Sequence, residues 1–215
     1  WDGFIPFNEL PSIKNPERGF VSSANQHPIP DGVKYYYLPG VYWPSHRGHR
    51  INQMLDYGIK NNDIDIQYMK SIQNDNFNNY AFDILPKLLP VIDILKKDNQ
   101  LFIEIYSALD KWKNNPIHNA DMYEPMIFDA WYQELSEGVW SDLFLDEANN
   151  QKYNNHVYPL YDRLLKIIED HPSEQSKWFD DVRTKNKETF EDIVWTSFKN
   201  EINKLTTNNS GEYSK

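Results

Sequence analysis

Two histidines, His46 and His49, are the first candidates for chemistry, because they stand three positions apart in the sequence. Imidazoles at this spacing share one face of a helix and could bind a metal ion. No carboxylate or third histidine lies at ligand spacing nearby, and Gly48 weakens the local helix. The pattern therefore disfavours a metal site and favours a solvated helix start.

Two close pairs of carboxylates are the next candidates, and they are Asp63 with Asp65 and Asp180 with Asp181. Such a pair could supply the general acid and base of a glycosidase. Acidic neighbours are common on solvated surfaces, so the spacing does not select this reaction. Because Trp and Tyr are plentiful, the glycosidase hypothesis stays open.

The sequence lacks the residues that several other enzyme classes require. The sequence has no cysteine, which excludes a thiol nucleophile, a disulfide and a thiolate zinc site. It also has no Gly-x-Ser-x-Gly elbow and no glycine-rich phosphate loop. A self-contained serine hydrolase of the α/β type is therefore disfavoured.

The most informative segment is residues 15–28, Asn-Pro-Glu-Arg-Gly-Phe-Val-Ser-Ser-Ala-Asn-Gln-His-Pro. On its residue types it predicts a strand between turns. Asn25 would end that strand, since Asn tolerates turn conformations and its amide can bond nearby backbone groups. From this segment alone, Asn25 is a turn residue.

The composition fits a folded chain of one domain or two small ones, with 215 residues of which 40% are hydrophobic. The formal charge of −10 opposes binding to nucleic acid and to anionic membranes. No apolar run is long enough to span a bilayer. Residues 1–7 lack the features of a signal peptide, which predicts either a cytoplasmic protein or a sequence whose true beginning is missing.

The elements that must position these residues change in character near residue 46. Residues 1–46 are rich in Pro and Gly, whereas residues 47–215 show apolar positions at helical spacing. The sequence therefore predicts a mainly α fold, a helical domain at 47–215 preceded by an extended stretch at 1–46 that contains loops and a strand.

Several details of the helices can be predicted as well. Asn62 or Asp63 should cap the second helix, Pro90 should kink or split the third, and residues 121–124 resemble a capping box. Trp131 and Trp140 lie on a helical stripe, which predicts that both belong to the core.

With its flanks, the 15–28 segment resembles the middle of the β-chain in the penicillin acylase (penicillin amidase) family of N-terminal nucleophile hydrolases. The matching pieces occur in the family's order: Trp1-Asp2-Gly3-Phe4-Ile5-Pro6-Phe7, Asn15-Pro16, Gly19-Phe20-Val21, Ala24-Asn25-Gln26, Tyr42-Trp43, Arg47-x-x-Arg50-Ile51-x-x-Met54-Leu55, Gln73-Asn74-Asp75, Ala81 and Leu85-Pro86-Lys87-Leu88-Leu89. Beyond about Leu95 the similarity is diffuse.

The resemblance implies an activity and two site residues. In that family a precursor cleaves itself and exposes a Ser, which is the nucleophile and uses its own α-amine as the base. Asn25 matches the amide that stabilises the oxyanion, and Arg47 matches the active-site Arg. For Arg47 the alternative is a solvated residue at a helix start.

The resemblance also predicts what lies outside this chain. The chain begins at Trp1, so the nucleophilic Ser would lie in another part of the precursor, and this fragment alone would be inactive. The expected partners are the α-chain, the rest of the β-chain and a small-molecule amide, with no nucleic acid and no membrane. A periplasmic or secreted location follows from the family alone.

No cofactor is expected, although many members of the family bind a structural calcium ion. An ungapped match puts Tyr36 where a family ligand Asp would fall, and Asp31 is the nearest replacement. A lone carboxylate cannot supply a calcium site. The hypothesis from another class is a non-catalytic helical binding or scaffold module, in which Asn25 is a plain turn residue.

Overall fold

The structure is a computed structural model that describes residues 3–29, 45–142, 145–146, 151–152, 161–170 and 177–208. These residues are mostly helical, which confirms the predicted fold class. The chain forms two compact units, Trp1–Asp75 and Asn76–Lys215. The first unit thus contains the extended stretch together with the first two helices, while the division at residue 46 stays a prediction.

Seven helices lie in the described residues: α1 His46–Asn61, α2 Ile66–Gln73, α3 Asn79–Leu95, α4 Gln100–Trp112, α5 Glu124–Trp140, α6 Tyr161–Asp170 and α7 Phe190–Asn208. A short 3-10 helix covers Phe7–Glu9. The only strands among these residues are β1 Leu145–Asp146 and β2 Gln151–Lys152, which pair antiparallel. The strand expected near Gly19 does not form in the described residues, because Gly19 closes a turn with Pro16 at φ 79° and residues 20–23 have no sheet partner there.

The caps of α1 and α2 differ from the prediction. Asn62 ends α1 in the left-handed conformation, with φ 56°, and does not start α2. The N-cap of α2 is Asp65, whose carboxylate accepts a hydrogen bond of 2.7 Å from the Tyr68 N–H. The capping chemistry is as expected, but it falls two to three residues later because the left-handed turn at Asn62 lengthens the connection.

A close approach at Gly58 holds α1 and α2 together. A Cβ atom at this position would lie 2.4 Å from Ile64 Cδ1 and 2.6 Å from Tyr68 Cε1. The Tyr68 ring is fixed, because its hydroxyl donates to the Met54 carbonyl at 2.6 Å. Glycine therefore lets the second helix pack directly on the backbone of the first.

The second unit is built around α3, which packs against α4, α6 and α7. Pro86 and Pro90 both lie inside α3, yet the helix runs unbroken from Asn79 to Leu95, so the predicted split does not occur. Leu85, Leu88 and Leu89 are almost completely buried. Their packing outweighs the hydrogen bonds that the two prolines remove.

The helix α5 packs chiefly against α7 and also contacts α4. Trp131 and Trp140 are buried as predicted, and the Trp131 indole N–H donates to Ser197 Oγ at 3.1 Å. The predicted capping box is wrong, since α5 begins after Tyr123 with no side-chain cap and with Pro125 in its first turn. Proline there needs no N–H partner, so a capping side chain is less necessary.

None of the described helices combines the length and the apolar character that a membrane span requires.

Two glycines make a matched test of the packing. Gly58→Ala should destabilise α1 and α2 by about 1–3 kcal/mol, because the methyl group overlaps Ile64 and Tyr68. Gly138→Ala in α5 should instead be neutral or stabilising by up to about 1 kcal/mol, since its Cβ would meet only Ile193, at 3.4 Å. Amide hydrogen exchange of each helix measures both effects. A Gly58→Ala protein with undiminished protection of α1 and α2 would contradict the packing described.

Candidate functional site

Asn25 lies in a turn with left-handed backbone, at φ 65°, and its side chain is exposed. Among residues with a side chain, Asn tolerates this conformation best. No residue in the described part of the chain forms a hydrogen bond with its amide. The backbone conformation agrees with a turn residue, and the amide is available for another partner.

The side chain of Gln26 closes this turn. Its Oε1 accepts a hydrogen bond of 2.7 Å from the Ala24 N–H, so residues 24 and 26 are linked across Asn25. Ala24 itself is buried, with 6% of its surface exposed. The backbone on either side of Asn25 is therefore held, while the Asn25 side chain points away from those contacts into an exposed position.

Residues 19–26 lie antiparallel along α1. Gln26 rests on Gly48, where a Cβ atom would be 2.9 Å from the Gln26 Cδ. Ser22 Oγ donates to Asn52 Oδ1. Positions 48 and 52 are one helical turn apart and share a face of α1. These contacts bring the turn that carries Asn25 to the first turn of the helix that carries Arg47.

The start of α1 is basic. Residues 46–50 include His46, Arg47, His49 and Arg50 and no acidic residue. The N-terminus of a helix carries a partial positive charge of its own, so cations there add to the same positive potential. A positive potential of this kind attracts an anion or stabilises a negative charge that develops during a reaction.

The two arginines of this turn differ in their partners. Arg50 donates two hydrogen bonds to Asp75, of 2.8 Å and 2.7 Å, and these bonds raise the pKa of Arg50 above its ordinary value. Arg47 is exposed and forms no hydrogen bond or ion pair with any described residue. Within the described chain, the charge of Arg50 is neutralised and that of Arg47 is not.

The chain neighbours of the two predicted site residues are thus in contact, but Asn25 and Arg47 are not bonded to each other. No hydrogen bond joins Arg47 to Asn25, although the structure describes both residues. The contact lies between their chain neighbours, since Gln26 follows Asn25 and Gly48 follows Arg47. The catalytic assignment of the two residues stays a prediction.

The structure gives one member of each acidic pair another role. Asp65 caps α2, and Asp181 accepts three hydrogen bonds from Arg183, from its backbone N–H, its Nε and its Nη2. The bonds from Arg183 hold the pKa of Asp181 below its ordinary value. A glycosidase needs an acid whose pKa is raised, so Asp181 is unsuited to that task.

In the described ranges, no group of three or more His, Asp or Glu side chains could hold a metal ion. Asp31 and Tyr36, which bear on the calcium prediction, lie at 30–44, outside the described residues. Whether calcium binds the parent protein stays a prediction.

Comparison with known proteins identifies the family. The model of the penicillin amidase family matches residues 1–215. The chain belongs to the penicillin amidase family. Membership indicates that the parent protein is an amidohydrolase. No solved structure matches the chain.

Some contacts of this site could not be predicted from the motifs. The sequence matches singled out Gln26, Arg50 and Asp75 as parts of patterns, but not as partners of Gly48 or of one another. The one signal was Gly48, a residue that weakens a helix by about 1 kcal/mol and stands in the first turn of one. A glycine at such a position can indicate a close approach by another group.

The Arg50 and Asp75 pair can be tested by one substitution. Asp75→Asn should lower the stability of α1 and α2 by about 1.5–3 kcal/mol, since both side chains are largely buried, at 28% and 16% exposure, and two charge-assisted bonds are weakened. Asp56→Asn makes the same change at an exposed position of α1 and should alter stability by less than about 0.5 kcal/mol. Native-state amide exchange measures both. Equal effects of the two substitutions would rule out a stabilising role for the pair.

Proposed function

We propose that this chain forms part of an amidohydrolase that cleaves a linear amide by acyl transfer to an N-terminal Ser. In this proposal Asn25 stabilises the oxyanion and Arg47 supports it with positive charge. Membership of the penicillin amidase family and the exposed, unbonded amide of Asn25 support the proposal. The Asn25 amide is the single observation on which the assignment of this chain's role rests.

The proposed reaction has two steps. The Ser Oγ attacks the carbonyl carbon, its proton passes to the α-amine, and the carbonyl oxygen becomes an oxyanion. The C–N bond then breaks, the α-amine returns the proton to the leaving amine, and an acyl-enzyme remains. Water hydrolyses that ester by the same route and releases the acid. Both steps pass through an oxyanion, so a donor aimed at it accelerates each.

A neutral amide suits this role. The hydrogen bond from Asn25 Nδ2 strengthens as the oxygen gains negative charge, and no proton needs to be transferred. The turn between Ala24 and Gln26 fixes the backbone of Asn25, so only the side-chain torsions have to be ordered when the bond forms. An exposed position allows a substrate carbonyl to reach the amide.

Arg47 suits the supporting role for electrostatic reasons. It stands in the first turn of α1, where the helix dipole adds to its charge, and no described acidic side chain neutralises it. A guanidinium cannot lose its proton at physiological pH, so the charge is constant during turnover.

The remaining parts of the proposal concern the parent protein. The nucleophilic Ser, the α-chain and the rest of the β-chain come from the same self-cleaving precursor, and this chain alone is inactive. Substrates are small amides such as an N-acyl amino acid, the side-chain amide of a β-lactam or an acyl-homoserine lactone. The enzyme acts in the periplasm or outside the cell, on antibiotics or related amides.

The amide of Asn25 is tested by its removal in the intact, processed enzyme. Asn25→Gly should lower kcat by about 10²–10³-fold with little change in KM, because glycine removes the donor yet keeps the left-handed backbone. Asn15→Gly is the matched control, since Asn15 is also exposed and left-handed, with φ 49°. It should retain full turnover. Unchanged turnover of Asn25→Gly would favour a plain turn residue, as in a binding or scaffold module.

The charge of Arg47 is tested in the same enzyme. Arg47→Ala should lower kcat by about 10–100-fold, the worth of one charge-assisted interaction of about 1.5–3 kcal/mol. Lys60→Ala removes a cation from the last turn of the same helix, about 20 Å away at 1.5 Å per residue, and should leave kcat unchanged. If both variants lose activity equally, the effect is one of general charge, and the specific role of Arg47 is wrong.

A further inference from the structure

The turn at Asn25 is held from two sides by one residue. The side chain of Gln26 accepts the Ala24 N–H at 2.7 Å, and the same amide group lies on the backbone of α1. The Gln26 side chain thus bonds across the turn to Ala24, and it also joins the turn to α1. Neither link involves the Asn25 side chain, which stays exposed.

The contact with α1 is possible only because residue 48 is glycine. A Cβ atom there would lie 2.9, 3.0 and 3.1 Å from Cδ, Oε1 and Nε2 of Gln26, distances at which the amide would have to shift. Gly48 is buried, although it stands in the first turn of an otherwise exposed helix end. The length of the glutamine and the absence of a side chain at Gly48 are complementary.

Two further contacts fix the direction of the segment. Ser22 bonds Asn52, and a Cβ atom at Gly19 would touch Ile59 Cδ1 at 3.4 Å. As the segment runs forward, its partners on α1 run backward, and positions 48, 52 and 59 lie on one face of the helix. Gln26 is the last of these contacts and the nearest to Asn25.

We propose that Gln26 and Gly48 are positioning residues that set the place of the Asn25 amide relative to Arg47. The inference rests on the proposed function, because the group that this pair positions is the proposed oxyanion donor. Gln26 follows Asn25 and Gly48 follows Arg47, so their contact fixes the separation of the two backbones. A donor displaced by about 1 Å can lose up to about 10²-fold in rate.

The first test uses the intact, processed enzyme and a tetrahedral phosphonate inhibitor of its Ser. Gly48→Ala should push Gln26 outward, lower kcat by about 10–100-fold and weaken the inhibitor by the same factor. KM and the affinity for the carboxylic acid product should change less than threefold. Gly138→Ala, which has room for its methyl group, is the control and should change none of these values.

The second test asks whether a shorter amide restores the fit. The double variant Gln26→Asn with Gly48→Ala removes one methylene from the amide side chain where one methyl group was added. Its kcat should be at least about tenfold higher than that of Gly48→Ala alone. Gln26→Met keeps the length but removes the acceptor of the Ala24 N–H, and should also lower kcat by about tenfold. If Gly48→Ala does not fold, the kcat of Gln26→Met tests the positioning role by itself.

The outcomes separate this inference from the proposed function. If Asn25→Gly lowers kcat but Gly48→Ala and Gln26→Met do not, the positioning role is wrong and the oxyanion assignment stands. If Asn25→Gly has no effect, the proposed function itself is wrong. In an Asn25→Gly background, Gly48→Ala should lower kcat by less than a further threefold, because it acts through Asn25. If it still lowers kcat by its full factor, it acts by another route and the inference is overturned.

Discussion

The close contact between the Gln26 amide and the backbone of Gly48 is the constraint on which the candidate site depends. Residues 3–29 form no sheet with the described residues, so the extended chain needs another support. The face of α1 supplies it, through contacts that reach from Gly19 to Gln26. Without them the turn at Asn25 would be a loop with no fixed relation to Arg47.

The electrostatics of α1 complement this arrangement. The first turn concentrates basic residues where the helix dipole is already positive, which costs stability in an isolated helix. Asp75 offsets that cost for Arg50 by a two-bond pair with little exposure. Arg47 has no such described partner, and it immediately precedes Gly48, the residue that contacts the turn carrying Asn25. A site for a developing anion would require this combination.

The sequence predicted the helices better than their ends. Apolar residues three and four apart were enough to identify α1 and α7, although of the two only α7 fully buries its stripe, which includes Val194, Phe198 and Ile202. Pro90 was expected to kink or split α3, yet the helix is not split, because the burial of Leu88 and Leu89 outweighs the lost hydrogen bond. The caps at Asp65 and Tyr123 depend on the geometry of short connections, which periodicity does not contain.

The candidate site was predictable only in part, for a similar reason. Motif order predicted Asn25 and Arg47 as site residues, and the match to the penicillin amidase family supports the family but leaves these two roles as predictions. What holds them is a tertiary contact between Gln26 and Gly48, and no local pattern in either segment indicates the other. A contact between segments depends on how the chain folds back, so it becomes visible only in the structure.

The central claim is that the Asn25 amide faces the oxyanion. The most direct measurement is a crystal structure of the intact, processed enzyme with a phosphonate bound covalently to its N-terminal Ser. The account predicts Asn25 Nδ2 about 2.7–3.1 Å from the phosphonate oxygen that replaces the oxyanion. An Asn25 side chain that points into solvent, with other groups bonded to that oxygen, would contradict it.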